Sequence, residues 1–214
     1  MADAERTVAV EELIARLAPE QRPATTDLHA LLVRRAQEAG LLDVAYTIVD
    51  SAIGRLLVAA TDAGVVRVAF EREGHDAVLA ALSDTISPRI LRSSDRTDAV
   101  ARQLDEYFAG RRHRFEVPLD LRLVSGFRRT VVTRLQDIDY GTTATYAAIA
   151  AAAGNAAAVR AAASACSHNP LPLLVPCHRV VRSDGRIGDY LGGAEAKATL
   201  LALERESRAS SRRR

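Results

Sequence analysis

The amino-acid sequence predicts an α+β fold, a small α/β domain built on a strand meander followed by a mostly helical domain. Three observations predict it. Runs rich in Val and Ile, broken by turn residues, fill the stretch after Ala45. Alanine-rich helical patterns dominate after Ser125. Between them lies RRHRFEVPLDLRLV, residues 111–124, a loop with short extended pieces that reads as a junction between domains. A chain of 214 residues, 48% hydrophobic, has material for one large domain or two small ones, and 26% charged residues argue against wholesale disorder.

Residues 5–18 read as a helix with Val8, Leu13, Ile14 and Leu17 partly on one face, and PEQRPATT follows as a linker. A second helix is capped by Thr26 or Asp27 and runs through Leu28, Leu31, Leu32 and Arg35 to Gly40. From Ala45 the period changes. YTIVDSAIGRLLVAATDAGVVRVAFE breaks at Ile53-Gly54 and at Asp62-Ala63-Gly64, the pattern of a three-stranded meander. Helices are expected at 75–82 and 95–109, the latter with Val100, Leu104, Tyr107 and Phe108 on one side. Ser125 caps a helix carrying Phe127, Val131, Val132 and Leu135. Thr143 or Thr145 caps a short helix, Tyr146–Ala153, Gly154-Asn155 turns the chain, and a second short helix covers Ala156–Ala165. Two compact helices joined by a Gly-containing turn are either a helix-turn-helix or an ordinary helical hairpin. Alanine occupies 14 of the 23 positions from 144 to 166, which leaves a smooth surface able to lie close to another backbone. The last helix is expected over 194–205.

No apolar run approaches the roughly 20 residues of a membrane span, and MADAERTVAVEE does not read as a secretory signal, so a cytoplasmic protein is expected. Cys166 and Cys177 are the only cysteines, too few for a four-cysteine metal site. Residues 1–119 carry 15 basic and 19 acidic side chains, whereas residues 120–214 carry 14 and 8. A polyanion would therefore prefer the second half. Lys197 is the one lysine among the basic residues.

The chemistry concentrates in residues 169–193, NPLPLLVPCHRVVRSDGRIGDYLGG. Pro170 and Pro172 hold an extended lead-in, and Pro176-Cys177-His178 brings a thiol and an imidazole together. A cysteine between apolar triplets is usually inert core, but His178 and Arg179 are costly to bury without work for them. A thiol with an ordinary pKa near 8.5 needs a basic or cationic neighbour to act as nucleophile. His178 is the candidate, directly or through a water. Glu204 can sit behind the imidazole and fix its tautomer, and Gly192-Gly193 permits a tight backbone approach to a ligand.

GTTATYAAIAAAAGNAAAVRAAASA, then NPLPLLVPCHRVV, then SDGRIGDYLGG, resemble the methylated-DNA–protein-cysteine methyltransferases, or O6-alkylguanine-DNA alkyltransferases. The similarity extends upstream through LDEYFAGRRHRFEVPLD to about Tyr46 and leaves the first 40 or so residues aside. The resemblance implies a ribonuclease H-like N-terminal α/β domain at 44–122 and a winged-helix-like catalytic and DNA-binding domain at 123–207. A helical extension (1–43) and a basic tail (208–214) flank them.

It also implies the roles. Cys177 is the alkyl acceptor, never regenerated; His178, through a water, helps deprotonate it; Glu204 stands behind His178, and Asn169 orders the turn. Tyr146 donates toward the guanine ring nitrogen, Lys197 occupies the active-site lysine position, and Arg160 fills the gap left in the base stack. Thr145, Ala158, Ala161 and Ala162 are expected against DNA, where small residues let a helix enter a minor groove about 6 Å wide. Val180, Tyr190, Leu191 and Gly192 are expected to line the alkylguanine pocket. The implied partner is double-stranded DNA containing O6-alkylguanine, bound by a monomer with no obligate protein partner, no membrane, no metal and no cofactor. Leu191 stands where the family commonly has a smaller residue, Ala163 replaces a common glycine, and Arg182 and Asp189 replace frequently small or neutral residues. The competing function is a lesion-binding or methylation-sensing regulator, and an unrelated cysteine hydrolase would leave the helix-turn-helix idle.

Overall fold

The computed structural model describes residues 25–211, with side chains described from Leu28 to Ala209. The helix and linker expected before residue 25 lie outside the described residues, as does the end of the basic tail. The chain divides into two compact units, 1–41 and 42–214. In the first, helix α1 (Thr25–Glu38) stops where Gly40 takes φ 63° and Leu41 N–H bonds back to the Ala36 carbonyl at 2.7 Å. Its leucines Leu28, Leu31 and Leu32 are exposed, as is Leu41 beyond it.

The second unit begins with the meander. β1 (Val44–Val49) pairs antiparallel with β2 (Leu56–Thr61), and β2 pairs antiparallel with β3 (Gly64–Phe70), with a register shift at Ala59/Ala60. A fourth strand, β4 (Ile90–Arg92), joins parallel to β1 and gives the order β3-β2-β1-β4. That strand is not expected from sequence. Three residues closely following Pro88 carry no readable alternation, so only pairing with β1 reveals them.

β2 is buried along its whole length, and its side chains alternate between two cores. Leu57 and Ala59 pack with Val78 and Leu82 of α2 (His75–Thr85). Leu56 and Val58 pack with Val100, Leu104 and Tyr107 of α3 (Asp98–Phe108), and with Val131, Val132 and Leu135 of α4 (Gly126–Leu135). The second core therefore runs without a break from the sheet into the helical half. The 111–124 segment connects the halves but opens no gap between them; Val65 N–H donates to the Pro118 carbonyl and Asp120 N–H to the Val65 carbonyl, a strand-like bridge to β3.

Thr145, rather than Thr143, caps α5 (Tyr146–Ala152), its hydroxyl accepting from Ala148 N–H at 3.1 Å. Gly154, at φ 88°, makes the turn that a side chain would strain. α6 (Val159–Ser167) starts three residues later than expected. The Asn155 side chain accepts from Ala157 N–H, and its carbonyl accepts from Ala158 N–H, so Ala156–Ala158 are spent on the turn. α4, α5 and α6 pack on one another. The last helix, α7 (Gly193–Ser211), outruns the expected 194–205.

Candidate active site

A two-stranded parallel pairing gathers the site. β5 (Ala144–Thr145), just before α5, pairs with β6 (Val180–Val181), just after a 3-10 turn formed by Cys177–Arg179. Tyr146 and the cysteine turn thus sit at the ends of adjoining strands, and α7 packs against the turn from behind.

Asn169 builds the approach to the cysteine. Its Oδ1 accepts from Leu171 N–H at 3.0 Å, and its Nδ2 donates to the Val175 carbonyl at 2.9 Å and to Cys177 Sγ at 3.1 Å. Between these anchors Leu173 takes φ 73°, the sole non-glycine residue at positive φ among those described. A buried leucine in that region costs roughly 1–3 kcal/mol, which the Asn169 bonds and the burial of Leu171, Leu173 and Val175 must outweigh.

Behind the cysteine lies a fully buried polar cluster. His178 Nε2 is 2.9 Å from Glu204 Oε1. The same oxygen accepts from the Tyr107 hydroxyl at 2.7 Å and from Arg179 Nη2 at 2.9 Å. Oε2 accepts from Arg179 Nε and from Gly141 N–H, both at 2.9 Å. Arg179 also donates to the Ile138 carbonyl at 2.6 Å, and its guanidinium lies 5.6 Å from the Tyr140 ring centre. Burial alone would raise the Glu204 carboxyl, but hydrogen bonds from His178 and Arg179 outweigh it and hold the group down at about 2. Glu204 is therefore an anion at neutral pH. Burial lowers His178, with Glu204 opposing, so the imidazole is neutral. An anionic acceptor at Nε2 places the proton on that nitrogen and leaves Nδ1 as the basic site. Nδ1 is buried and has no partner among the described residues.

Burial pushes the Cys177 thiol up to about 11, against the pull of Asn169 and Lys197. At pH 7 roughly one molecule in ten thousand then carries the thiolate. The nucleophile is masked and needs a proton acceptor at the moment of reaction. Tyr146 is pushed up to about 12, chiefly by burial, and keeps its phenolic proton available for donation. Lys197 is fully buried; its Nζ donates to the Val180 carbonyl at 2.6 Å and lies 5.9 Å from the ring centres of Tyr146 and Tyr190. Burial pulls its ammonium below the usual range.

A cavity of about 310 Å³, lined by Arg72, Glu73, Ser167, Asp189, Tyr190 and Leu191, opens nearby. It includes two of the residues expected around the base. Val180 is fully buried beneath the surface. Gly192 and Gly193 stand close to the sheet domain. A Cβ on Gly192 would stand 2.7 Å from the Phe70 ring, and one on Gly193 would strike Arg72. On their Cβ side these glycines admit the sheet domain's own side chains.

On α6, Arg160 and Ala161 are exposed but Ala162 is fully buried, and Ala158 in the preceding turn is half-buried. The expectation that Ala162 touches DNA is corrected, because it turns inward with Ala165 and Cys166 on the core-facing side of α6. Thr145 is half-buried with its hydroxyl committed to the cap. Sequence reasoning missed Tyr107 altogether. It reads as one more apolar residue on the inner face of α3, and the available signal was that a buried tyrosine hydroxyl needs a partner. Arg179 was suspected only as costly to bury; its partner is Glu204.

The chain is similar to known proteins over most of its length. Residues 44–121 match the family described as 6-O-methylguanine DNA methyltransferase, ribonuclease-like domain, and residues 126–206 match its DNA binding domain. The methylated-DNA–protein-cysteine methyltransferase of Mycolicibacterium paratuberculosis is 40% identical over 168 residues, covering 76% of this chain and 93% of the relative. The crystal structure of Mycobacterium tuberculosis O6-methylguanine methyltransferase superposes with a TM-score of 0.68 at 32% identity, over 77% of this chain and 94% of that one. The structure of Mycobacterium tuberculosis OGT in complex with DNA gives 0.66 at 33% identity, over 76% and 94%.

Proposed function

Since this chain belongs to the methylated-DNA–protein-cysteine methyltransferase family, we propose that it repairs O6-alkylguanine in duplex DNA by taking the alkyl group onto Cys177. The observation that carries the assignment to this residue is the pair of anchored groups at this turn: a buried thiol held by Asn169, next in sequence to a neutral histidine fixed by Glu204. His178 Nδ1 accepts the thiol proton through a water, and Sγ attacks the saturated alkyl carbon. The S–C bond forms as the C–O bond breaks, and the electron pair leaves on the guanine oxygen. Tyr146 donates toward the ring nitrogen as that charge develops, and the Lys197 ammonium adds positive potential. The product is an S-alkylcysteine and, once the guanine anion takes up a proton in place of the one His178 accepted, restored guanine. One chain reacts once, because the S-alkylcysteine is a stable thioether.

The exposed face of α6 enters the minor groove. Arg160 occupies the stack vacated by the rotated nucleotide, recovering part of an extrusion cost of a few kcal/mol. The bulk of Leu191 at the cavity wall narrows the space for large alkyl groups. Repair by a monomer needs no second chain, since the reacting groups all come from one.

Incubation with duplex containing O6-methylguanine, followed by intact-mass measurement, tests this reading. Transfer adds about 14 Da once per molecule, the mass of one methylene. A protein that only binds the lesion gains nothing, and a hydrolase turns over.

A further inference from the structure

We propose that Tyr107, supplied by the sheet domain, is a positioning residue for alkyl transfer: its hydroxyl shares Glu204 Oε1 with His178 and so sets how strongly that oxygen holds the imidazole. The inference rests on the alkyl-transfer reading. Tyr107 is fully buried, and its ring sits among Phe108, Phe115 and Tyr140 at centre distances of 5.4, 5.3 and 6.0 Å. That cage fixes the phenol. Its hydroxyl donates to Oε1 at 2.7 Å, while the distance to His178 Nε2 is 3.5 Å, so it acts on the histidine through the carboxylate. Oε1 already accepts from Arg179 as well as from His178. Each further donor withdraws electron density from the same oxygen and weakens its grip on a protonated imidazole.

The groups that face His178 are few. Glu204 and Lys197 approach from α7, Arg179 from its own turn, Tyr107 from α3, and Tyr190 stands edge-on at 6.4 Å. Of these, Tyr107 alone is both a contributor from the sheet domain and a direct neighbour of the Glu204–His178 contact. The helical half thus carries the reacting atoms, and the sheet domain adjusts the base.

The test measures single-turnover methyl transfer to full-length protein between about pH 5 and 9, where neutral His178 limits the acid side. Tyr107→Phe keeps the ring and its packing but removes the donor. Oε1 then holds the protonated imidazole more tightly, and the acid limb should move up by about half to one pH unit. Transfer on the alkaline plateau should stay within about threefold of wild type. Replacing Tyr107 with 3-fluorotyrosine keeps the hydroxyl and strengthens it as a donor, so the limb should move the opposite way. This second variant retains every packing contact and answers the question even where Tyr107→Phe loses stability. In a Glu204→Gln background neither change should shift the limb further. An unmoved limb in the fluorinated protein, or shifts of the same sign in both variants, overturns the proposal. Failure of wild type to gain a methyl group would instead sink the repair reading itself.

Discussion

Replacing Glu204 by Gln changes one charge and almost no volume, and its consequences follow from the bonds the carboxylate makes. Glu204 accepts from Tyr107, His178, Arg179 and Gly141, and its side chain is fully buried. The amide nitrogen of Gln would point a donor at one of these donors. Arg179 would keep its charge, with the Ile138 carbonyl and the Tyr140 ring as its remaining contacts. Breaking a buried pair from one side costs about 3–5 kcal/mol. Linkage gives a similar size: the folded carboxyl sits at about 2 against 4.5 in the unfolded chain, which corresponds to about 3 kcal/mol at neutral pH. A unit of this size loses about 2–4 °C of Tm per kcal/mol, so calorimetry should show a fall of roughly 10 °C. The chemistry should suffer too, because His178 loses the anion that keeps its proton on Nε2. Single-turnover transfer at a temperature where both proteins are folded should drop by about 10²–10⁴-fold. A Glu204→Gln protein melting within about 2 °C of wild type and transferring at the same rate would refute the reasoning.

Other outcomes can be stated in the same terms. Acidification should destabilise the protein in two stages. His178, held below its usual 6.5, makes the unfolded chain the better proton binder as pH falls past that value. Glu204 adds a second loss between 4.5 and about 2, and Glu204→Gln should flatten that lower limb in a pH series of melting curves. Arg160→Ala should slow transfer from duplex far more than from free O6-benzylguanine, since only duplex must be unstacked; equal losses would mean Arg160 supports the fold. Asn169→Asp removes the donor to Cys177 Sγ and the Val175 carbonyl and adds negative charge, so thiol titration should move up in pH; an unchanged titration would show that the bond is incidental. We propose that residues 1–43 stabilise without taking part in chemistry. A chain beginning at Val44 should melt lower yet transfer at nearly the full rate, and loss of transfer at unchanged stability would give the extension a direct role.

What could be read from the sequence follows from how local each signal is. The meander was legible because β1, β2 and β3 are adjacent apolar runs separated by turn residues, whereas β4 depends on a distant partner. Cys177, His178 and Asn169 lie close together in the chain, and their family resemblance is carried by that one segment. Glu204 was anticipated from chemistry, since an imidazole base needs an acceptor behind it. Tyr107 was not, because an amphipathic helix turns tyrosine and leucine to the core alike and only the fold shows which hydroxyl meets a carboxylate. Ala162 misled for the converse reason. A run of alanines has no amphipathic contrast, so nothing in it distinguishes the core-facing side of α6 from the exposed one. The glycines Gly192 and Gly193 announced a close approach without saying to what, and on their Cβ side Phe70 and Arg72 make one.

The central claim is that Cys177, and not Cys166, receives the alkyl group. Both thiols are buried and free, and burial pushes Cys166 up to about 12, higher than Cys177. The most direct measurement is peptide mapping by mass spectrometry after reaction with duplex carrying an isotopically labelled O6-methylguanine. The account predicts the label on the peptide containing Cys177, one per chain, and a Cys177→Ala protein that still binds the lesion but acquires no label. Label on Cys166, or methyl transfer that persists in Cys177→Ala, would contradict it.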